Sequence, residues 1–105
     1  MKEADIQRSI LQYLAAKGHY PVRINTQGVP VWGQGKELLR WRKSPMVGVP
    51  DILGISRNGV FFAIECKRKG NKATAEQLAF LNEIKHRSGI AIVAYSLDDV
   101  INTGL

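Results

Sequence analysis

The chain has a single cysteine, Cys66, in 105 residues, so no internal disulfide can form. Histidine is nearly as scarce: His19 and His86 have no His or Cys partner at ligand spacing, which excludes a structural zinc site and marks both as expected surface groups. Any metal must therefore take oxygen ligands. Long apolar runs are missing too. The longest, Ile90 to Tyr95, has six residues, far short of the roughly 20 that a membrane-spanning helix needs. The opening Met-Lys-Glu-Ala-Asp carries acids where a signal peptide has its apolar core, so a cytoplasmic protein is expected. Acidic residues are under-represented, with Asp+Glu 9 against Lys+Arg 15, a net charge of +6 and a pI near 9.8. Such a balance on so short a chain points to a phosphate-rich partner, nucleic acid before an anionic membrane. What is present is ordinary globular composition, 45% hydrophobic and 23% charged, which argues for one folded domain over 1–105 rather than a disordered basic tail.

Ile6, Ile10, Leu11 and Leu14 recur at helical spacing, and Lys17-Gly18 closes a helix over residues 3 to 17. At 100° per residue Glu3 lies within about 20° of Ile10 and Leu14, so a carboxylate sits on the buried stripe. An acid in the first turn also complements the helix dipole, and on the residues alone that is the simpler account. From Tyr20 to Arg42 the pattern is β-like: Pro21 to Ile24, then breakers at Gly28 and Gly33-Gln34-Gly35, then Leu38 to Arg42. Trp32 and Trp41 beside these apolar strands are expected in the core, with base stacking as the other option. Residues 44 to 50, with two prolines and a glycine, form a turn-rich connection that delivers the chain to Asp51. Asp51 to Ser56 and Val60 to Lys67 are apolar runs joined at Arg57-Asn58-Gly59, an antiparallel hairpin. After a basic loop over 68 to 72, Thr74 and Gln77 read as a capping box opening a helix that runs to about Arg87. Ile90 to Tyr95 is a strand buried on both faces, and Ser96-Leu97-Asp98-Asp99 starts a last helix. The order helix, strands, helix, strand, helix predicts an α/β fold with a central mixed sheet.

Strand alternation puts Glu65 and Lys67 on one face with Phe61 and Ala63, and Phe62, Ile64 and Cys66 on the other. Whether Asp51 joins Glu65 depends on the hairpin. A two-residue Asn58-Gly59 loop makes paired numbers sum to 117 and turns Asp51 to the wrong face. A three-residue loop over 57 to 59, ending in a left-handed Gly59, makes the sum 116 and sets Asp51 opposite Glu65. The second register is the one predicted, because opposite β-carbons are about 5 Å apart and two carboxylates can then share a Mg²⁺ ion. Two such carboxylates repel, and burying them costs several kcal/mol unless a cation or proton compensates. Lys67 on the same face suits orientation of a water or stabilisation of a pentacovalent phosphorane better than proton abstraction, since its ordinary pKa is near 10.4.

Taken together, Gly48-Val49-Pro50-Asp51-Ile52-Leu53-Gly54, Phe62-Ala63-Ile64-Glu65-Cys66-Lys67 and Thr74-Ala75-Glu76-Gln77 resemble the PD-(D/E)XK nuclease superfamily, and within it a stand-alone VRR-NUC (virus-type replication-repair nuclease) domain of the kind found in phages and bacteria. The resemblance runs from Glu3 to about Tyr95. It implies a restriction-endonuclease-like fold, Mg²⁺ or Mn²⁺ as cofactor, metal ligation by Asp51, Glu65 and the backbone carbonyl of Cys66, and Lys67 at the water or scissile phosphate. It further implies that Glu3 touches the metal or its waters and that Gln77 stands near the site, although the capping box competes for the same side chain.

Segment 36 to 72 carries nine basic residues (Lys36, Arg40, Arg42, Lys43, Arg57, Lys67, Arg68, Lys69, Lys72) against Glu37, Asp51 and Glu65, which is the chain's whole net charge of +6. A basic stretch bracketing an acidic pocket suits an enzyme that grips a nucleic-acid backbone, with Arg40 and Arg42 sharing a strand face. The expected function is a structure-selective DNA endonuclease acting on Holliday junctions or flaps. The other reading is a non-catalytic nucleic-acid-binding module on the same fold. A membrane-surface protein is disfavoured, because neither predicted helix joins a broad basic face to a bulky apolar one. Cutting both strands of a junction calls for a homodimer, and the partly apolar stretch Val29 to Leu39 with Trp32 would either cover its two-fold interface or fold over its own core.

Overall fold

A computed structural model describes residues 1–24, 29–42 and 46–105, with the backbone alone at Val29 and Arg42. The chain runs through α1 (Glu3–Ala16), β1 (Tyr20–Arg23), β2 (Val29–Trp32), β3 (Leu38–Arg42), β4 (Ile52–Ile55), β5 (Phe61–Cys66), α2 (Ala75–His86), β6 (Ile90–Ala94) and α3 (Leu97–Ile101). Four strands form one sheet in the order β1-β4-β5-β6. β1 and β5 pair antiparallel with β4, and β6 joins β5 in parallel across α2. The predicted mixed sheet is thus present.

Its two faces are covered separately, as the strand alternation requires. Ile6, Ile10 and Leu14 of α1 pack with Val100 of α3 on Ile52, Phe62, Ile64, Cys66 and Ala94. On the other face Leu81 of α2 packs on Ala63 and Ala91, with Leu53, Phe80, Ile84 and Val93 at the margin. The strand pair β4–β5 has the register that sums to 116: Ile52 faces Ile64 and Ile55 faces Phe61. Ser56 N–H donates to the Val60 carbonyl at 2.7 Å, closing a three-residue loop whose last member, Gly59, has φ +85°. An L side chain rarely adopts that angle, so the glycine selects the loop and the loop selects the register.

Two expectations fail. β2 and β3 form a separate two-stranded ribbon, and no other described strand or helix packs on it to any comparable extent. Trp32 and Trp41 consequently stand 60% and 63% exposed instead of in the core. His19 is no free surface group either: it is half-buried, its Nδ1 accepts the Arg57 backbone N–H at 2.9 Å, and its ring meets Phe62 edge-on. The expected turn elements Gly28 and Ser44-Pro45, and the basic Lys43, lie outside the described residues. No helix among the described residues is long and apolar enough to cross a membrane.

Candidate active site

Local structure brings the acidic residues to one end of the sheet. The turn Met46 to Val49 closes with Val49 N–H on the Met46 carbonyl at 3.1 Å. Gly48 in it has φ +85°, and a β-carbon there would lie 2.9 Å from Cβ of Glu76 on α2. Only glycine meets both demands, so the turn can lie against the first turn of α2 and bring buried Pro50 and then Asp51 to β4. The backbone of Asp51 is held from the other side by Ile24, whose N–H donates to the Asp51 carbonyl at 2.7 Å. Its side chain crosses to β5, where Oδ2 accepts the Cys66 N–H at 3.0 Å.

Glu65 lies on β5 and Lys67 directly beyond it, the latter anchored by its N–H on the Ala94 carbonyl at 3.0 Å. Lys67 Nζ reaches Glu65 Oε2 at 3.3 Å. From α1, Glu3 supplies a third carboxylate: one oxygen each from Glu3, Asp51 and Glu65 lie within 4.8 Å of one another. The helical phase that put Glu3 on the buried stripe is therefore also the phase that aims it at the sheet end. Gln77 is placed otherwise. Its Oε1 accepts the Thr74 N–H at 2.8 Å while Thr74 Oγ1 accepts the Gln77 N–H at 3.2 Å, a complete capping box.

The electrostatics of this cluster are unbalanced. Three carboxylates face one ammonium, and Glu65, only 2% exposed, has its Oε1 buried with no hydrogen-bond partner. Burial first, and the Asp51 charge second, push the Glu65 carboxyl up to about 7, with Lys67 pulling the other way. The Cys66 thiol behind it is pushed up by burial and then by the three carboxylates, so it is an inert core group. An oxygen-only donor set with an unmet buried acceptor and surplus negative charge fits a hard divalent ion such as Mg²⁺ or Mn²⁺.

Of the expected basic contacts, Arg68, Lys69 and Lys72 are exposed on the loop after β5, where Arg68 and Lys69 line a groove with Met1, Ile6 and Tyr95 alongside the helix that carries Glu3. Lys36 and Arg40 are exposed on the ribbon. Sequence reasoning missed the part played by Tyr95, whose hydroxyl donates to the Asn71 carbonyl at 3.1 Å and ties the basic loop to the end of β6. No local pattern signals a contact between residues 24 apart.

No protein-family model matches the sequence, and no curated protein does. The chain is similar to a solved structure described as "VRR_NUC domain", with a TM-score of 0.64 and 22% identity over 95% of this chain and 90% of that one. The chain thus has the fold of a VRR-NUC domain, the one its motifs imply.

Proposed function

We propose that the chain is a Mg²⁺- or Mn²⁺-dependent DNA endonuclease that hydrolyses phosphodiester bonds in branched DNA such as flaps or four-way junctions. The observation that carries this is the convergence of Glu3, Asp51 and Glu65 with Lys67 at one sheet end. Asp51 and Glu65, with the Cys66 carbonyl and Glu3, would hold the ion. When bound, a divalent ion offers positive charge to a phosphodiester oxygen and acidifies its waters. Lys67, held by Glu65, orients the attacking water and offsets charge gathering on the phosphate. Exposed Arg68, Lys69 and Lys72 on the loop after β5 and Lys36 and Arg40 on the ribbon, together with the basic residues Arg42 and Lys43 of the sequence, grip the backbone without reading sequence. Gln77 serves the site only by fixing α2, through the cap. Symmetric cutting of a four-way junction needs two copies, whereas a flap needs one.

The test is incubation with labelled linear, flapped and four-way DNAs in Mg²⁺, Mn²⁺ or EDTA. Cleavage is expected to need the ion and to prefer branched DNA. Asp51→Asn, Glu65→Gln and Lys67→Ala should each slow it by two orders of magnitude or more, on the order of the effect of losing an electrostatic catalytic group, with DNA binding largely kept. Robust cleavage in EDTA, or by the Glu65→Gln protein, would sink the proposal. Light scattering with and without the four-way DNA reads the number of copies.

A further inference from the structure

The β2–β3 ribbon is left unexplained by the core and by the carboxylate cluster. A lone two-stranded hairpin is marginally stable in water, and exposed apolar side chains gathered in one place call for a partner. This ribbon exposes Leu38, Leu39, Trp32 and Trp41, and the last two are the only tryptophans of the chain. Pairing sets their orientation. Pro30 faces Trp41 across the ribbon; the register shift between Val31 and Trp32 leaves its extra residue, Leu39, on β3, so β2 keeps its alternation and Trp32, two residues from Pro30, shares the face of Trp41. Val31 pairs with Arg40 on the opposite face, and Lys36 stands at the turn.

The ribbon is also rooted at the site. It belongs to the segment between Ile24, whose N–H bonds the Asp51 carbonyl, and the turn at Met46 to Val49 that leads into Asp51. The ribbon is therefore continuous in sequence with both stretches of chain that position the central carboxylate. The charges favour nucleic acid as the occupant: among the ribbon's described side chains Lys36 at the turn and Arg40 on the face behind the indoles outnumber Glu37, and the chain as a whole carries +6. Indoles offer a π-face and a single N–H, which suits stacking on bases and gives little means of reading base edges in a groove. Duplex bases are already stacked, so the bases available to an indole are unpaired ones.

We infer that the ribbon is a base-stacking arm on which Trp32 and Trp41 hold unpaired nucleotides next to a duplex, which restricts the substrate to DNA with single-stranded bases at its branch. This deepens the proposed function and rests on it for the class of ligand. The arm explains structure selectivity without sequence readout, because every base has a π-face.

Because both tryptophans lie on the ribbon, intrinsic indole emission reports on it alone, and in EDTA it does so without turnover. The full-length protein is titrated with a blunt duplex and with the same duplex bearing a single-stranded flap, while labelled-DNA anisotropy follows occupancy. Flapped DNA is expected to quench the emission at saturation and blunt duplex to leave it nearly unchanged. Trp32→Ala and Trp41→Ala should each weaken binding of flapped DNA by on the order of tenfold and of blunt duplex by less than about twofold, with the phenylalanine variants recovering most of the loss. Circular dichroism checks that the variants fold. Equal emission and equal affinities for the two DNAs overturn the arm. So does an emission blue shift that appears with protein concentration alone, with a doubled mass that either Trp→Ala change abolishes, for then a second copy covers the ribbon. Loss of metal-dependent cleavage alongside selective quenching counts against the nuclease reading and for the arm.

Discussion

Glu65 is buried with one oxygen that no protein donor reaches, and its burial, with the Asp51 charge second, favours the protonated carboxyl. With its carboxyl pushed from 4.5 up to about 7 in the fold, metal-free protein holds this proton more tightly than the unfolded chain does. The stability it contributes is full below pH 4.5 and is lost as pH rises through about 7. The loss is about 3 kcal/mol. In EDTA the melting temperature of the parent should fall between about pH 5 and about pH 8, while that of Glu65→Gln, which cannot ionise, falls less over the same window. Mg²⁺ or Mn²⁺ should restore the parent at the upper pH by mass action. Equal pH dependence of the two proteins would refute this account. Asp51 allows a finer comparison in the same assay. The change Asp51→Asn relieves repulsion and keeps a side-chain oxygen for the Cys66 N–H, so that variant should melt at or above the parent. Asp51→Ala orphans the donor and should lose about 1–3 kcal/mol. At this scale the sequence was informative wherever local arithmetic sufficed: alternation for Glu65 and Lys67, helical phase for Glu3, loop length for Asp51. It misplaced His19 on the surface, because the partners that hold it, the Arg57 N–H and the Phe62 ring, lie 38 residues or more away in sequence.

Helix ends show how a correct boundary can rest on the wrong residue. Gly89 looks like the glycine stop of α2, yet the left-handed residue is Ser88, with φ 70°. Ser88 N–H donates to the Lys85 carbonyl and Gly89 N–H to that of Ile84, at 3.0 and 2.8 Å, the paired bonds of a Schellman end. Glycine at 89 answers packing instead: a β-carbon there would sit 2.9 Å from the Phe61 carbonyl oxygen. Ser88→Gly should therefore stabilise the protein by about 1 kcal/mol, and Gly89→Ala should destabilise it by about 1–3 kcal/mol, both read from denaturant midpoints. The opposite pair of signs would return the stop to Gly89. The main strands and all three helices are legible because each has its own apolar period and punctuation. The strand Leu38–Arg42 after the Gly33-Gln34-Gly35 breakers is legible too, but the separation of its ribbon from the sheet is not, because the register slips between Val31 and Trp32, the turn spans Gly33 to Glu37, and no other described element packs on it to a comparable extent. Apolar residues that pair only with each other carry no periodicity that distinguishes ribbon from interior.

The whole molecule measures 50 × 29 × 27 Å with a radius of gyration of 15.3 Å, against roughly 13 Å for a compact chain of about 100 residues. Its charge acts at this scale. DNA affinity should fall steeply with salt, and Arg68→Ala with Lys69→Ala should flatten the slope of log affinity against log salt by about 2, close to 0.9 per lost phosphate contact. The tryptophan variants should weaken binding without changing that slope, since stacking releases no counterions; a slope unmoved by the double basic change would place the phosphate contacts elsewhere. Net charge is readable from composition, whereas the exposure of the two tryptophans needed the topology. That topology has a further meaning. Ile24 and Asp51 are already joined by a 2.7 Å hydrogen bond within an antiparallel strand pair, so the ribbon is an excursion from a connection whose ends meet without it. Closing a longer excursion costs little, about 0.6 kcal/mol for each doubling of length. Recognition can then be lengthened, shortened or exchanged like a cassette while the carboxylates stay where the sheet holds them, and new substrate preferences become accessible in few mutational steps.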